Sequence, residues 1–164
     1  MKWVLIVIGA VIALVVVVAA IGALLPKAHL ASRSSRFRKS PQALWDTITG
    51  PPDWRPDVKK FESLPPLDGR RMWKETDSHG QAITYESVEE TPPSRLVTRI
   101  ADRSLPFGGT WTHEITPDAD GCTLRIIEAG EVYNPIFRFM SRFVFGYSGS
   151  IDAYLKALHA KLGD

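Results

Sequence analysis

His113 and Glu128 are the residues of this sequence best suited to reactive chemistry, because an imidazole and a carboxylate in one pocket can share the work of general acid–base catalysis. Both fall on the more apolar side of an alternating run. Cys122, Leu124, Ile126 and Glu128 oppose Thr123, Arg125 and Ile127, while Trp111, His113 and Ile115 oppose Thr110, Thr112 and Glu114. The first set of each run is expected to point inward. A four-residue loop over 117–120 would set Ile115 beside Cys122, His113 beside Leu124, Trp111 beside Ile126 and Gly109 beside Glu128. His113 and Glu128 then lie about 13 Å apart at roughly 3.3 Å per residue, whereas proton transfer needs contact at about 3 Å. A direct dyad fails on this register. Glu128, faced only by a glycine, either keeps room for a ligand or water or finds a structural partner such as Arg99 or a residue of the last helix.

The remaining reactive side chains form no set. His79 lies in a polar turn beside Gly80, His29 follows an apolar segment and His159 lies near the C-terminus, so their spacing is not that of a metal site. Ser148-Gly149-Ser150 sits within a helical stretch rather than at the strand-to-helix elbow that exposes a nucleophilic serine. Gly108-Gly109 lies between strands and does not lead into a helix, as a phosphate loop would. Cys122 is the sole cysteine, which excludes an intrachain disulfide and a thiolate metal cluster, and it reads as a small buried apolar residue. We therefore assign no catalytic residue, no metal and no cofactor from the sequence.

The elements that must position these residues follow from periodicity. Positions 29–39 alternate as a strand. Ser40 and Pro41 then start a short helix, a hydroxyl cap followed by a proline whose missing N–H costs nothing there. Ala43, Leu44, Trp45 and Ile48 form its apolar face, and Gly50-Pro51-Pro52 ends it. From Lys59 to Tyr133 the period is two, with turn clusters around Pro65–Gly69, Ser78–Gly80, Thr91–Pro93, Pro106–Gly109 and Pro117–Gly121, which separate six strands. Asn134-Pro135 opens one long helix in which Ile136, Met140, Phe143, Tyr147, Ile151, Tyr154, Leu155, Leu158 and Leu162 recur at three and four. Gly146 and Gly149 weaken its middle and predict a bend. Phe137, Phe139, Phe143 and Phe145 cover more than one face of it, so Phe139 or Phe145 is available to line a cavity or touch a bilayer.

Before these elements stand 23 uncharged residues, Trp3 to Leu25. As a helix they reach about 34 Å, enough for a hydrocarbon layer of about 30 Å. The run is longer than the apolar stretch of a typical signal peptide, and no good cleavage site follows it: Ala31 would put His29, and Ala28 would put Pro26, where a small residue is wanted. Residues 1–27 are thus read as a single-pass transmembrane anchor with its flanks, and 28–164 as one domain. Lys27, Arg33, Arg36, Arg38 and Lys39 follow the apolar run without an intervening acid, which predicts a cytoplasmic domain. Of the 20 Lys and Arg residues only Lys2 and Lys27 precede position 28, so the domain balances 18 bases against 18 acids. That neutrality argues against a nucleic-acid partner.

A strand, short helices, six meandering strands and a last long helix is an uncommon order. With Ser40-Pro41-Gln42-Ala43-Leu44-Trp45, Trp54-Arg55-Pro56, Thr84-Tyr85-Glu86, Gly109-Thr110-Trp111-Thr112, Cys122 to Glu128 and Tyr154-Leu155-Lys156-Ala157-Leu158, the sequence resembles the START-like superfamily (SRPBCC, helix-grip), of the polyketide cyclase/dehydrase and lipid-transport type. The resemblance spans about residues 30–162. It implies an α+β helix-grip fold, a curved antiparallel sheet wrapped around a long C-terminal helix. Between them lies a mostly apolar cavity, which in relatives holds lipids, sterols or polyketides. It implies no single reaction. With the inward strand positions and the helix face, it makes Tyr85, Thr98, Trp111, His113, Leu124, Ile126, Glu128, Met140 and Phe143 the expected ligand contacts, with Ser87 nearby. The expected partner is a hydrophobic small molecule or lipid. Three functions stay open: a membrane-anchored binding or transport module, a cyclase/dehydrase-type enzyme using Glu128, His113 or Tyr85, and a non-catalytic accessory protein.

Overall fold

A computed structural model describes residues 2–163. The uncharged run forms one helix, α1 (Lys2–Leu24), which is long and apolar enough to cross a membrane and buries only Gly22. β1 (Ala28–Phe37) follows directly, and then α2 (Pro41–Thr49), whose Ser40 hydroxyl accepts the Ala43 N–H as the capping pattern requires. Six strands come next: β2 (Val58–Leu67), β3 (Arg70–Asp77), β4 (Ala82–Thr91), β5 (Arg95–Ile100), β6 (Phe107–Asp118) and β7 (Gly121–Val132). They pair antiparallel in the order β1-β7-β6-β5-β4-β3-β2, so the sheet is a meander that β1 closes by adding to its last strand.

The expected long helix is broken in two. α3 (Pro135–Met140), capped by Asn134, runs into a π-helical turn at Ser141–Phe145, and α4 (Gly149–Leu162) resumes after it. Gly146 sits between them at φ 74°, a left-handed geometry that glycine adopts without a Cβ penalty. Only α4 lies in the grip of the sheet. The predicted bend is therefore a full break, and the two halves have different partners: α4 faces the core, whereas α3 packs on α1.

The β6–β7 hairpin also differs from expectation. The loop has two residues, Ala119 and Asp120, so that Asp118 pairs with Gly121, Ile115 with Leu124, His113 with Ile126, Trp111 with Glu128 and Gly109 with Gly130. The register is shifted by two from that inferred above. Because side chains alternate with period two, a shift of two leaves every residue on its predicted face while changing its neighbour. β3, ambiguous from sequence, turns Trp73 inward, where its ring stacks on Tyr85 with centroids 5.6 Å apart.

Along each central strand the inward face changes character. Cys122, Leu124 and Ile126 are fully buried with Phe37, Leu44, Ile115, Ile151 and Leu158 in a closed core under α2 and the end of α4. Beyond Ile126 on β7 come Glu128 and Gly130, and beyond His113 on β6 come Trp111 and Gly109. There the core stops and a cavity begins.

Candidate functional site

The cavity has a volume of about 1020 Å³ and lies between the sheet and α4, with a rim built from the loop before β6, α3 and the π-turn. Its walls combine aromatic rings with aliphatic and polar side chains. Trp54, Trp111 and His113 surround the Tyr154 ring of α4 at centroid distances of 5.1, 5.6 and 5.6 Å, an arrangement of tilted and edge contacts that favours aromatic packing. Trp54 is held in place by its indole N–H, which donates to the Thr47 carbonyl of α2.

Among the polar side chains of these walls, two clusters stand beside the rings of Tyr154 and Tyr147. At one, Arg55 donates to Glu75 at 2.8 Å and to Asp57, and lies over the Tyr154 ring. Glu75 also accepts the Trp73 indole N–H at 3.0 Å. Burial works against the Arg55 charge, but the hydrogen bonds and charges of Asp57 and Glu75 outweigh it and hold the guanidinium protonated. Tyr85 and Tyr154 stand beside this pair. Burial pushes both phenols well above their ordinary value, with the Glu75 charge adding to the effect and Arg55 opposing it. At neutral pH they are hydrogen-bond donors and not bases.

The second polar group centres on Glu128. Its carboxylate accepts from Ser150 of α4 at 3.2 Å and stands 3.4 Å from Nε2 of His29, whose ring stacks on Tyr147 at 4.2 Å. His29 occupies the space that Gly130 leaves, since a Cβ at that glycine would come within 2.3 Å of the imidazole. Serine, carboxylate and histidine thus meet, but with the carboxylate in the middle. A serine nucleophile needs the histidine next to it, as the base that takes its proton. The arrangement is a tethered carboxylate at the cavity edge and not a hydrolytic triad.

Of the expected contacts, Tyr85, Thr98, Trp111, His113, Glu128 and Met140 line the cavity. Leu124 and Ile126 do not: both are fully enclosed in the packed core, because the inward face of β7 reaches the cavity only after Ile126. Phe143 does not either. The π-turn rotates it outward, and it meets Phe139 at a tilt of 49° with 60% of its surface exposed. Ser87 is buried and accepts the Arg71 N–H beside a β-bulge. Arg99 pairs with Glu86 at 2.6 Å and leaves Glu128 to Ser150, a last-helix partner.

His113 is a wall residue of a particular kind. Neither ring nitrogen touches solvent or makes a well-formed hydrogen bond, although the Leu96 backbone lies near enough to favour the protonated ring. Burial lowers its pKa to about 4, opposed weakly by the Leu96 backbone. A buried imidazole with so low a pKa stays neutral at ordinary pH and is a weak base. Sequence reasoning missed His29, Arg55, Trp73, Glu75 and Ser150, which come together from β1, β3, α4 and the loop between α2 and β2; the one local signal was an arginine set in the Trp54-Arg55-Pro56 stretch. Among the described residues no cluster of His, Cys, Asp or Glu could hold a metal ion.

A family profile described as polyketide cyclase/dehydrase and lipid transport matches residues 29–163. The chain belongs to this family. No curated protein gives a significant sequence match. Solved structures confirm the fold at low identity. Protein MLL2253 from Mesorhizobium loti is similar with TM-score 0.63 and 16% identity, over 82% of this chain and 97% of that one. Truncated norcoclaurine synthase from Thalictrum flavum is similar with TM-score 0.64 and 14% identity, over 84% and 95%. The di-domain aromatase/cyclase StfQ of steffimycin biosynthesis gives TM-score 0.63 and 14% identity over 83% of this chain, which spans about half (51%) of that longer protein. This family member thus carries the helix-grip architecture, with a cavity of its own composition.

Proposed function

We propose that this chain is a membrane-tethered module that holds a lipid or other hydrophobic small molecule between its sheet and α4, with α1 as the single-pass anchor and the domain on the cytoplasmic side. The observation that carries the reading is the cavity, whose volume of about 1020 Å³ is at the upper end of the range for small-molecule sites. Its aromatic rings suit a ligand with a ring system or acyl chain, and Arg55, Tyr85, Tyr154 and Glu128 are among the groups that offer donors and acceptors for a polar end. Family membership and the cyclase and synthase neighbours support a ligand-holding role and keep a cyclase-type reaction as the second reading. Against that second reading, burial makes His113 a weak base and holds Tyr85 protonated, so that Tyr85 can donate a proton but not take one.

Native mass spectrometry of the detergent-extracted chain tests this directly. A co-purifying hydrophobic molecule, or saturable binding of a fluorescent fatty-acid analogue, is the expected result; an empty protein that binds neither fatty-acid nor sterol analogues would refute it. Carbonate washing should leave the full chain in the membrane fraction. A cytoplasmic fluorophore fused after Asp164 should be bright, and a phosphatase that works only outside the cytoplasm should be silent there.

A further inference from the structure

α3 has only six residues and is too short to be stable in isolation; it is held by α1. The Pro135 carbonyl lies so close to Gly22 that a Cβ at that position would sit 1.9 Å from the oxygen. Arg138 of α3 is buried and donates to Leu25 O at 2.8 Å, to Ala23 O at 3.5 Å and to Tyr133 O at 3.3 Å. The first two carbonyls belong to the terminus of α1, where a helix leaves its carbonyls without internal partners and its dipole favours a cation. The segment from Tyr133 to the π-turn is therefore clamped to the end of the apolar helix.

The clamp brings a large apolar surface to that end. Phe143, Val144 and Phe145 on the π-turn, together with Phe137 on α3, are each more than half exposed. Contiguous exposed apolar surface of this kind marks an interaction site. Phe137, Met140, Phe145 and Gly146 also form part of the cavity rim, so the rim and the exposed patch share residues. Continuity with α1 selects the occupant. If α1 crosses the bilayer, its end at Leu24 lies at the membrane–water boundary, and the side chains clamped beside it share that depth. Arg142, exposed in the π-turn, and Lys27, just past α1, place cations at headgroup level.

We infer that Phe137, Phe143, Val144 and Phe145 insert into the bilayer where α1 emerges and hold the cavity rim against the acyl chains, so that a hydrophobic ligand passes between membrane and cavity without crossing water. The inference rests on the proposed roles of α1 as anchor and of the cavity as ligand site.

The test uses the full chain in phosphatidylcholine–phosphatidylglycerol vesicles, with a nitroxide on Val144→Cys and reference labels on Val15→Cys in α1 and His79→Cys in the β3–β4 turn; Cys122 is buried and is left in place. The label at 144 should be accessible to oxygen and shielded from aqueous nickel, as at 15. Nickel access equal to that at 79, with 15 still shielded, would overturn the inference and leave the anchor standing. Efficient disulfide cross-linking of two chains of the unlabelled Val144→Cys variant, absent from the parent, would assign the patch to a second copy and overturn it as well. The variant Phe143→Ser/Val144→Ser, at two patch residues that do not line the cavity, should take up a fluorescent fatty acid from vesicles at least about tenfold more slowly, since two bulky apolar contacts with lipid are lost. Its equilibrium affinity for the same probe in detergent micelles should stay within about twofold. Parallel loss of micelle affinity would place these residues in the binding wall instead and overturn the inference. A parent chain that binds no probe even in micelles would refute the proposed function, while the nitroxide result would still decide the depth of the patch.

Discussion

The division between core and cavity can be measured by making one substitution in two places. Ile126 and Ile100 are both strand isoleucines with inward side chains, but Ile126 is fully enclosed in the core, whereas Ile100 is partly exposed and lines the cavity, paired with Tyr85. Ile126→Trp forces an indole into a region already packed to interior density, and overpacking of this kind costs about 1–3 kcal/mol. For a domain of this size each kcal/mol moves the melting temperature by about 3–5 °C, so a loss of roughly 3–15 °C is expected. Ile100→Trp instead extends into open volume of about 1020 Å³ and covers apolar wall that water or ligand otherwise touches. Its stability should change by less than about 1 kcal/mol, in either direction. The same indole occupies ligand space, so affinity for a fluorescent fatty-acid or sterol analogue should fall at least about tenfold, or about 1.4 kcal/mol. Thermal melts and probe titrations of both variants, run in the same detergent, give the comparison. If Ile100→Trp destabilises as much as Ile126→Trp, the space beside Tyr85 is packed in solution and the cavity argument is wrong.

Two further outcomes follow from single residues. His113 has a folded pKa of about 4 against 6.5 for a free imidazole, so the unfolded chain binds a proton in this window that the folded chain refuses. Stability should be intact above pH 6.5 and fall by up to about 3 kcal/mol as the pH drops to 4; His113→Leu should flatten that part of the profile and, by removing two bare nitrogens, cost nothing at pH 7. A parent protein whose melting temperature is level from pH 6.5 to 4 would contradict the sealed imidazole. Gly109 has φ 133°, and a Cβ there would come within 2.4 Å of the Ala129 carbonyl, so Gly109→Ala should lower stability by about 1–3 kcal/mol in a denaturant titration. An alanine variant as stable as the parent would mean that β6 does not approach β7 so closely.

Much of this architecture is legible in local pattern. The uncharged run from Trp3, the Ser40-Pro41 cap, the period of two from Lys59 and the turn clusters each depend on neighbours within a few residues, and local physics decides them: proline and glycine restrict the backbone, and alternation assigns faces. Alternation also placed Tyr85, Thr98, Trp111, His113 and Glu128 on the inward side, and a hairpin register wrong by two did not disturb this. What local pattern could not supply was distance along the inward face. Ile126 and Glu128 are adjacent inward positions on one strand, yet one is solid core and the other cavity wall, because the boundary is set by where α2 and the end of α4 close over the sheet. The Arg55–Glu75 pair and the contact of His29 with Glu128 lie 20 and 99 residues apart in sequence, and only strand pairing brings them together. The break after Phe145 was decided in the same way. Gly146 permitted it, but the contacts of Gly22 with Pro135 and of Arg138 with the end of α1 drew the first half of the expected helix away from the core and onto the apolar helix.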